Sequence, residues 1–260
     1  MIHLYQAKPT SIRLNVRGLK ILVLSDLHFP WSVDDWFEFL QDLQAKHNYD
    51  LWVSVGDEVD GASISFHEKD PGLPSPSDEL EMSIECMKKL ESIAPGKRIF
   101  FCDSNHGSLV YRRQKYAGLP VQVIKPLCEI YDTPLFSWHE EIILETNSGL
   151  IYITHGKKAG YGAGAKEVGS SMIQGHYHSK SEITWHETIG GMRFNCFTGC
   201  LADRDKLAMR YAKANLPMFI NSVVDLDADG IPSTRLYKRY VPKFEFRDLT
   251  LNAPGEMILS

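Results

Sequence analysis

Five short segments of the chain carry the residue types that hold metals and move protons. They are Asp26-Leu27-His28, Gly56-Asp57-Glu58-Val59-Asp60, Ser104-Asn105-His106, His155-Gly156 and Gly175-His176-Tyr177-His178. A carboxylate can bridge two cations, an imidazole is a neutral ligand, and an amide oxygen adds a ligand without adding charge. This mixture of nitrogen and oxygen suits Mn²⁺, Fe, Zn²⁺ or Ni²⁺ better than Ca²⁺. Alone, each segment has a blander reading: Asp26 as a strand-end cap, residues 56–60 as a turn, His176 and His178 as a surface pair. Together, in this order and each just past an apolar run, they look like the ligand set of a binuclear metal centre. The chemistry such a set supports is hydrolysis of a phosphate ester by two metal ions.

The elements that must position these residues follow from the apolar pattern. Residues 19–24 (LKILVL), 51–55 and 98–102 read as buried strands that end just before the first three segments. Between them lie two amphipathic helices. Ser32 is the expected N-cap of the first, with Trp36, Phe39, Leu40 and Leu43 on its apolar face. Ser75-Pro76 opens the second, with Leu80, Ile84, Met87, Leu90 and Ile93 facing the core. Residues 61–75 are polar and read as a long surface loop of functional kind. In open α/β sheets the site lies beyond the carboxyl ends of the strands, so the first three segments should converge.

The second half changes character. Residues 142–145, 150–154, 172–174, 182–185, 192–197, 218–225 and 234–240 read as strands joined by short polar turns, with a short helix at 205–214. The strands after Cys200 are expected to finish the second sheet. His176 and His178 are expected on a strand with both rings on one face and Tyr177 packing on the other. The Gly-rich stretch 156–169 reads as a flexible loop at the rim of the site and lacks the order of a P-loop.

Composition narrows the class. At 43% hydrophobic and 23% charged, the chain is ordinary for a soluble globular protein. A net charge of −5 argues against an all-over basic surface for duplex nucleic acid. The five cysteines are odd in number, scattered and without a CxxC, which suggests a reducing, cytoplasmic setting. Cys196 and Cys200 have no second Cys/His pair nearby to complete a tetrahedral site. No signal peptide is expected in residues 1–10, and no apolar run approaches the roughly 20 residues that span a bilayer, so no membrane partner is expected.

The ordered set DxH, GDxxD, NH, H and GHxH, from residue 26 to 178, resembles the calcineurin-like metallophosphoesterase superfamily. The resemblance implies an α/β (α+β) fold, a four-layer αββα sandwich of two mixed sheets flanked by helices, as a single domain over residues 1–260. It implies Asp26, His28, Asp57 and His178 as ligands of one metal, with Asp57 bridging to a second held by Asn105, His155 and His176. It implies two divalent transition-metal ions, Mn²⁺ first, and attack by a metal-bridged hydroxide. His106 is implied as the acid at the leaving oxygen and Asp60 as the group that holds its imidazole charged. Ser104 and Gly107 depart from the family's usual Gly and acidic residue around Asn-His. Gly61 stands where the protein Ser/Thr phosphatase branch carries a phosphate-gripping Arg.

Candidate substrate grips are Arg112 and Arg113, expected on the helix after His106, and Lys157 and Lys158, directly after His155. The bland reading of each is a solvated cation. Phe29, Trp31 and Phe66 lie near the motif loops and would either stack on a base or pack. The expected function is a phosphodiesterase acting on a nucleotide or on short or single-stranded nucleic acid. The alternatives are a phosphomonoesterase for a small ester and a non-catalytic, metal-bearing scaffold.

Overall fold

The computed structural model describes residues 11–156, 163–212 and 218–237. Its first strands are β1 (Ile12–Asn15), β2 (Ile21–Leu24), β3 (Leu51–Ser54), β4 (Ile99–Cys102), β5 (Ser137–His139) and β6 (Ile142–Thr146). They are followed by β7 (Gly149–Thr154), β8 (Ser171–Gln174), β9 (Ser181–Thr188), β10 (Gly191–Thr198), β11 (Ser222–Leu226) and β12 (Pro232–Leu236). The helices are α1 (Trp36–His47), α2 (Pro76–Ile93), α3 (Leu109–Tyr116), α4 (Leu127–Ile130) and α5 (Ala163–Val168).

The strands form two mixed six-stranded sheets, ordered β12-β11-β2-β3-β4-β5 and β1-β6-β7-β8-β10-β9. Side-chain alternation along a strand divides the core between two faces. Leu22 and Leu24 of β2 join Trp52 and Phe101 against Leu40 of α1 and Met87 and Leu90 of α2. The alternate residues Ile21 and Val23, with Val53, Phe100 and Cys102, meet Ile142, Leu144, Ile151, Ile153 and Ile173 of the other sheet. Ala165 and Val168 of α5 cover the outer face of that second sheet at Tyr152 and Met172. The layers are therefore helix, sheet, sheet, helix, as expected.

Several local expectations are corrected. Helix α1 starts at Trp36 with Asp35 as N-cap, because the Ser32 hydroxyl donates instead to the Leu27 carbonyl. On α2 the buried face carries Glu79 and Ser83, and Leu80 is 40% exposed. The strands after Cys200 join the first sheet: β11 runs antiparallel to β2, placing Val224 opposite Val23, and β12 is the edge. Part of the Gly-rich stretch is helical, as α5. Strands β1 and β5 are four and three residues long, too short for alternation to reveal them. Of the expected helix at 205–214, Leu207–Ala212 forms 3-10 turns and residues 213–214 lie outside the described part.

Candidate metal centre

Each segment begins one or two residues past the carboxyl end of a parallel strand. Asp26 follows β2, Asp57 follows β3, and Asn105 and His106 follow β4 of the first sheet; His155 follows β7 and His176 follows β8 of the second. The two sheets thus bring these carboxyl ends together at one end of the sandwich. His176 and His178 lie beyond β8 rather than on it, so the expected alternation does not operate. Tyr177 packs edge-on to Phe197 and also lines the cavity at the site.

Ligand-type atoms gather in groups whose members lie within 4.8 Å of one another. One group is Asp26, His28, Asp57 and His178. Another is Asp57, His155 and His176, and Asp57 belongs to both. The Asn105 amide oxygen is 2.8 Å from His155 Nε2, which brings it to the second group. A third group, His28, Asp60 and His106, adjoins the first.

Three of these residues hold a left-handed backbone: His28 at φ 50°, Asp57 at 49° and His176 at 70°. Such strain costs about 1–3 kcal/mol per residue and persists where the surroundings fix it. Here each strained residue has its N–H anchored. His28 N–H donates to the Asp57 carbonyl, Asp57 N–H to the Ser104 hydroxyl, and His176 N–H to Asp26 Oδ1. Gly175 allows the last of these, since a Cβ there would lie 2.4 Å from Asp26 Oδ2 and 2.5 Å from Val55.

The family model described as calcineurin-like phosphoesterase matches residues 19–190. The chain belongs to this family. None of the curated proteins matches the chain. Among solved structures it is similar to vacuolar protein sorting 29 from Cryptosporidium parvum, at 14% identity and TM-score 0.43, over 84% of this chain and 97% of that one. It is similar to Vps29 of Chaetomium thermophilum, at 15% and 0.41, over 83% and 86%. It is also similar to YfcE, a phosphoesterase from E. coli, at 15% and 0.38, over 80% and 88%. As a calcineurin-like phosphoesterase, the protein is a metal-dependent phosphoester hydrolase.

The donor chemistry of this phosphoesterase fits a dinuclear centre. The Asp60 carboxylate accepts from His28 Nδ1 at 2.8 Å, and the Val55 carbonyl accepts from His155 Nδ1 at 3.0 Å. Because these partners can only accept, both rings carry their proton on Nδ1. Their Nε2 atoms then face Asp57 Oδ2, at 3.6 Å from His28 and 3.1 Å from His155. His28 Nε2 is 3.2 Å from His178 Nε2, and His155 Nε2 is 3.2 Å from His176 Nδ1. Imidazole nitrogens and carboxylate oxygens that converge in this way fit shared metal ions. Asp26 Oδ2 is also buried without a hydrogen-bond partner among the described residues.

The protein's own charges follow the same arrangement. Burial would raise the Asp57 carboxyl, but His155, His106 and His28 hold it well below the usual range. Burial lowers His155, and the charge and hydrogen bond of Asp57 reverse this and take it to about 9. His28 is lowered, chiefly by burial, although Asp60 opposes this. His106 is raised: burial opposes, and Asp57 and Asp60 prevail. Glu58, behind the site, is pushed by burial to about 7; its Oε1 accepts from the Trp138 indole.

The Asp60 carboxylate hydrogen-bonds His28, yet Asp60 still favours the charged form of His106, through its charge and its backbone carbonyl. It is the Asp60 backbone carbonyl that meets His106 Nδ1, at 2.7 Å. Arg113 does not reach the site. It donates to the Ile64 and Ser65 carbonyls and stacks 3.8 Å over the Phe66 ring. Arg112 does line a cavity at the site, with Nη1 donating to the Asn105 carbonyl at 3.2 Å. Lys157 and Lys158 lie outside the described residues. Phe29 is fully buried against Trp36, and Phe66 packs beneath Arg113, so both serve packing.

Two residues escaped sequence reasoning. The Ser104 hydroxyl accepts from Asp57 N–H and Gly107 N–H, which accounts for a Ser where the family pattern has Gly. A Cβ at position 107 would meet that hydroxyl at 2.8 Å, so the small residue follows from Ser104. The buried Glu79 carboxylate accepts from Ala62 N–H, Ser63 N–H and the Trp31 indole. It joins the loop after His28 to the loop after Asp60. A buried acid within an apolar helix pattern was its only sequence signal.

A cavity of about 440 Å³ and a second, shallower and more open one flank the ligand groups. The first opens on His28, Asp57, Asp60, His106 and His178, the second on Asp103, Ser108, Arg112 and His155. Asn105 and His176 line both.

Proposed function

We propose that the chain is a binuclear metal-dependent phosphodiesterase acting on nucleotide-type diesters, including short or single-stranded nucleic acid. The observation that carries this reading is the pair of cavities sharing Asn105 and His176. A phosphodiester has two alcohol arms, and the ligand groups lie between two spaces that can each take one. A monoester would use only one of them.

In this reading Asp26, His28, Asp57 and His178 hold one ion. Asp57, Asn105, His155 and His176 hold the other, with Mn²⁺ as the first candidate. Two bound ions would supply a water acidified near neutral pH and positive charge for the phosphoryl oxygens. The chain's own residues do the rest. Asp60 fixes the ring of His28, as a carboxylate partner of a ligand histidine does in metal sites. His106 is held by its Nδ1 on the Asp60 carbonyl, leaving Nε2 as the atom that transfers a proton. His106 lines the first cavity, so the alcohol that leaves occupies that side and takes its proton there. Arg112 faces the second cavity, where the retained arm sits. Five free cysteines support a reducing, cytoplasmic setting.

The test is hydrolysis of bis-p-nitrophenyl phosphate against p-nitrophenyl phosphate with Mn²⁺ added. A diester kcat/KM at least tenfold above the monoester is the expected result. The reverse ratio would make the chain a phosphomonoesterase.

A further inference from the structure

We propose that the leaving alcohol is one unit of nucleoside size or smaller with an apolar face and no anionic group of its own. This rests on the reading above in one respect: His106 marks the first cavity as the leaving side. At about 440 Å³ the cavity stands in the lower part of the roughly 300–1,000 Å³ range of ligand pockets, enough to enclose one unit.

Its walls away from the ligand groups are of two kinds. Leu73, Leu207, Met209 and Phe219 present an apolar surface, and Phe219 is fixed edge-on to His178 with ring centroids 4.7 Å apart. A base or phenyl ring covers such a surface without loss of hydrogen bonds. Glu68 and Asp70 supply carboxylates beside the His67 imidazole, and among the described lining residues there is no Arg or Lys. A second phosphate on the leaving arm would therefore meet two carboxylates and, among the described lining residues, no Arg or Lys. The second cavity is the opposite case, because Arg112 lines it. During hydrolysis the water oxygen bonds to phosphorus, the bond from phosphorus to the leaving alcohol breaks, and that alcohol takes the proton. A nucleic-acid strand then fits only with its terminal nucleoside on the leaving side.

The experiment uses the full chain with Mn²⁺ and the dinucleotide UpU, beside its 5′-phosphorylated and 3′-phosphorylated forms. One of the two added phosphates falls on the leaving arm. It should lower kcat/KM at least tenfold, while the other changes it less than threefold. In Glu68→Gln and in Asp70→Asn that penalty should shrink at least threefold. Equal cleavage of all three substrates would overturn the proposal, as would a penalty unchanged in both variants. Glu68 is exposed, so Glu68→Gln reads the effect even if Asp70→Asn disturbs the turn in which Asp70 accepts from Gly72 N–H. Failure of the diesterase reading shows separately, as no cleavage of any diester alongside monoester turnover. The same comparison is then made between uridine 5′-monophosphate and uridine 3′,5′-bisphosphate. A tenfold penalty for the bisphosphate supports the proposal, and its absence overturns it.

Discussion

Asp60 and His106 separate two roles that lie 2.7 Å apart through a backbone carbonyl. In the proposed reading the Asp60 carboxylate orients a candidate ligand, and the His106 ring serves the leaving oxygen. Asp60→Asn should therefore weaken metal binding about 10–100-fold, as loss of such a partner typically does. Chelator competition would measure this. His106→Ala should keep its metals and lose about 10²–10⁴ in kcat. Loss of metal from His106→Ala would undo that assignment. Gly175→Ala places a Cβ on the Asp26 carboxylate. The variant should fold, by near-ultraviolet circular dichroism, yet retain less metal than the wild type. At this scale the ligand-type residues were legible because their side chains alone carry the chemistry. What was not legible is direction: nothing in Gly-Asp-Glu-Val-Asp tells that the last Asp turns to His28 while its carbonyl meets His106.

Two elements support the site from outside. Glu79 on α2 binds three donors from the two loops that carry His28 and Asp60. Truncation to Ala would leave buried N–H groups unsatisfied, at about 1–3 kcal/mol each, or about 3 kcal/mol in sum at the low end. In a chain of this size that is a fall of roughly 6–12 °C in Tm. Thermal unfolding would check it, and a fall under about 2 °C would mean the loops hold themselves. On α3 the neighbouring arginines divide their work. Arg113→Ala should raise hydrogen exchange in residues 62–73 without entering the chemistry. Arg112→Ala should raise KM for a diester about tenfold, the order of one charge-assisted hydrogen bond. Equal effects of the two on KM would contradict the division. Helix periodicity found α1 and α2 because an apolar stripe repeats along them. It missed the buried Glu79, since a carboxylate on that stripe is justified only by donors more than a dozen residues away. Short strands β1 and β5 were missed for want of length.

For the whole molecule, the candidate ligands come from both sheets. Asp26, Asp57 and Asn105 extend from the first, His155 and His176 from the second. Metal should thus fasten the sheets together. Adding Mn²⁺ to metal-stripped protein at 100 times its Kd should stabilise it by about 2.7 kcal/mol. The sandwich was legible because buried runs and motif positions agree in both halves. The destination of β11 and β12 was not, because an apolar strand does not state which sheet edge it will join. The most direct test of the account is bound Mn²⁺ per chain, counted with bis-p-nitrophenyl phosphate hydrolysis, for wild type and Asp57→Asn. The account predicts two ions and turnover in the wild type, with both reduced in the variant, since Asp57 belongs to both groups. Full metal content and full turnover in Asp57→Asn would contradict it.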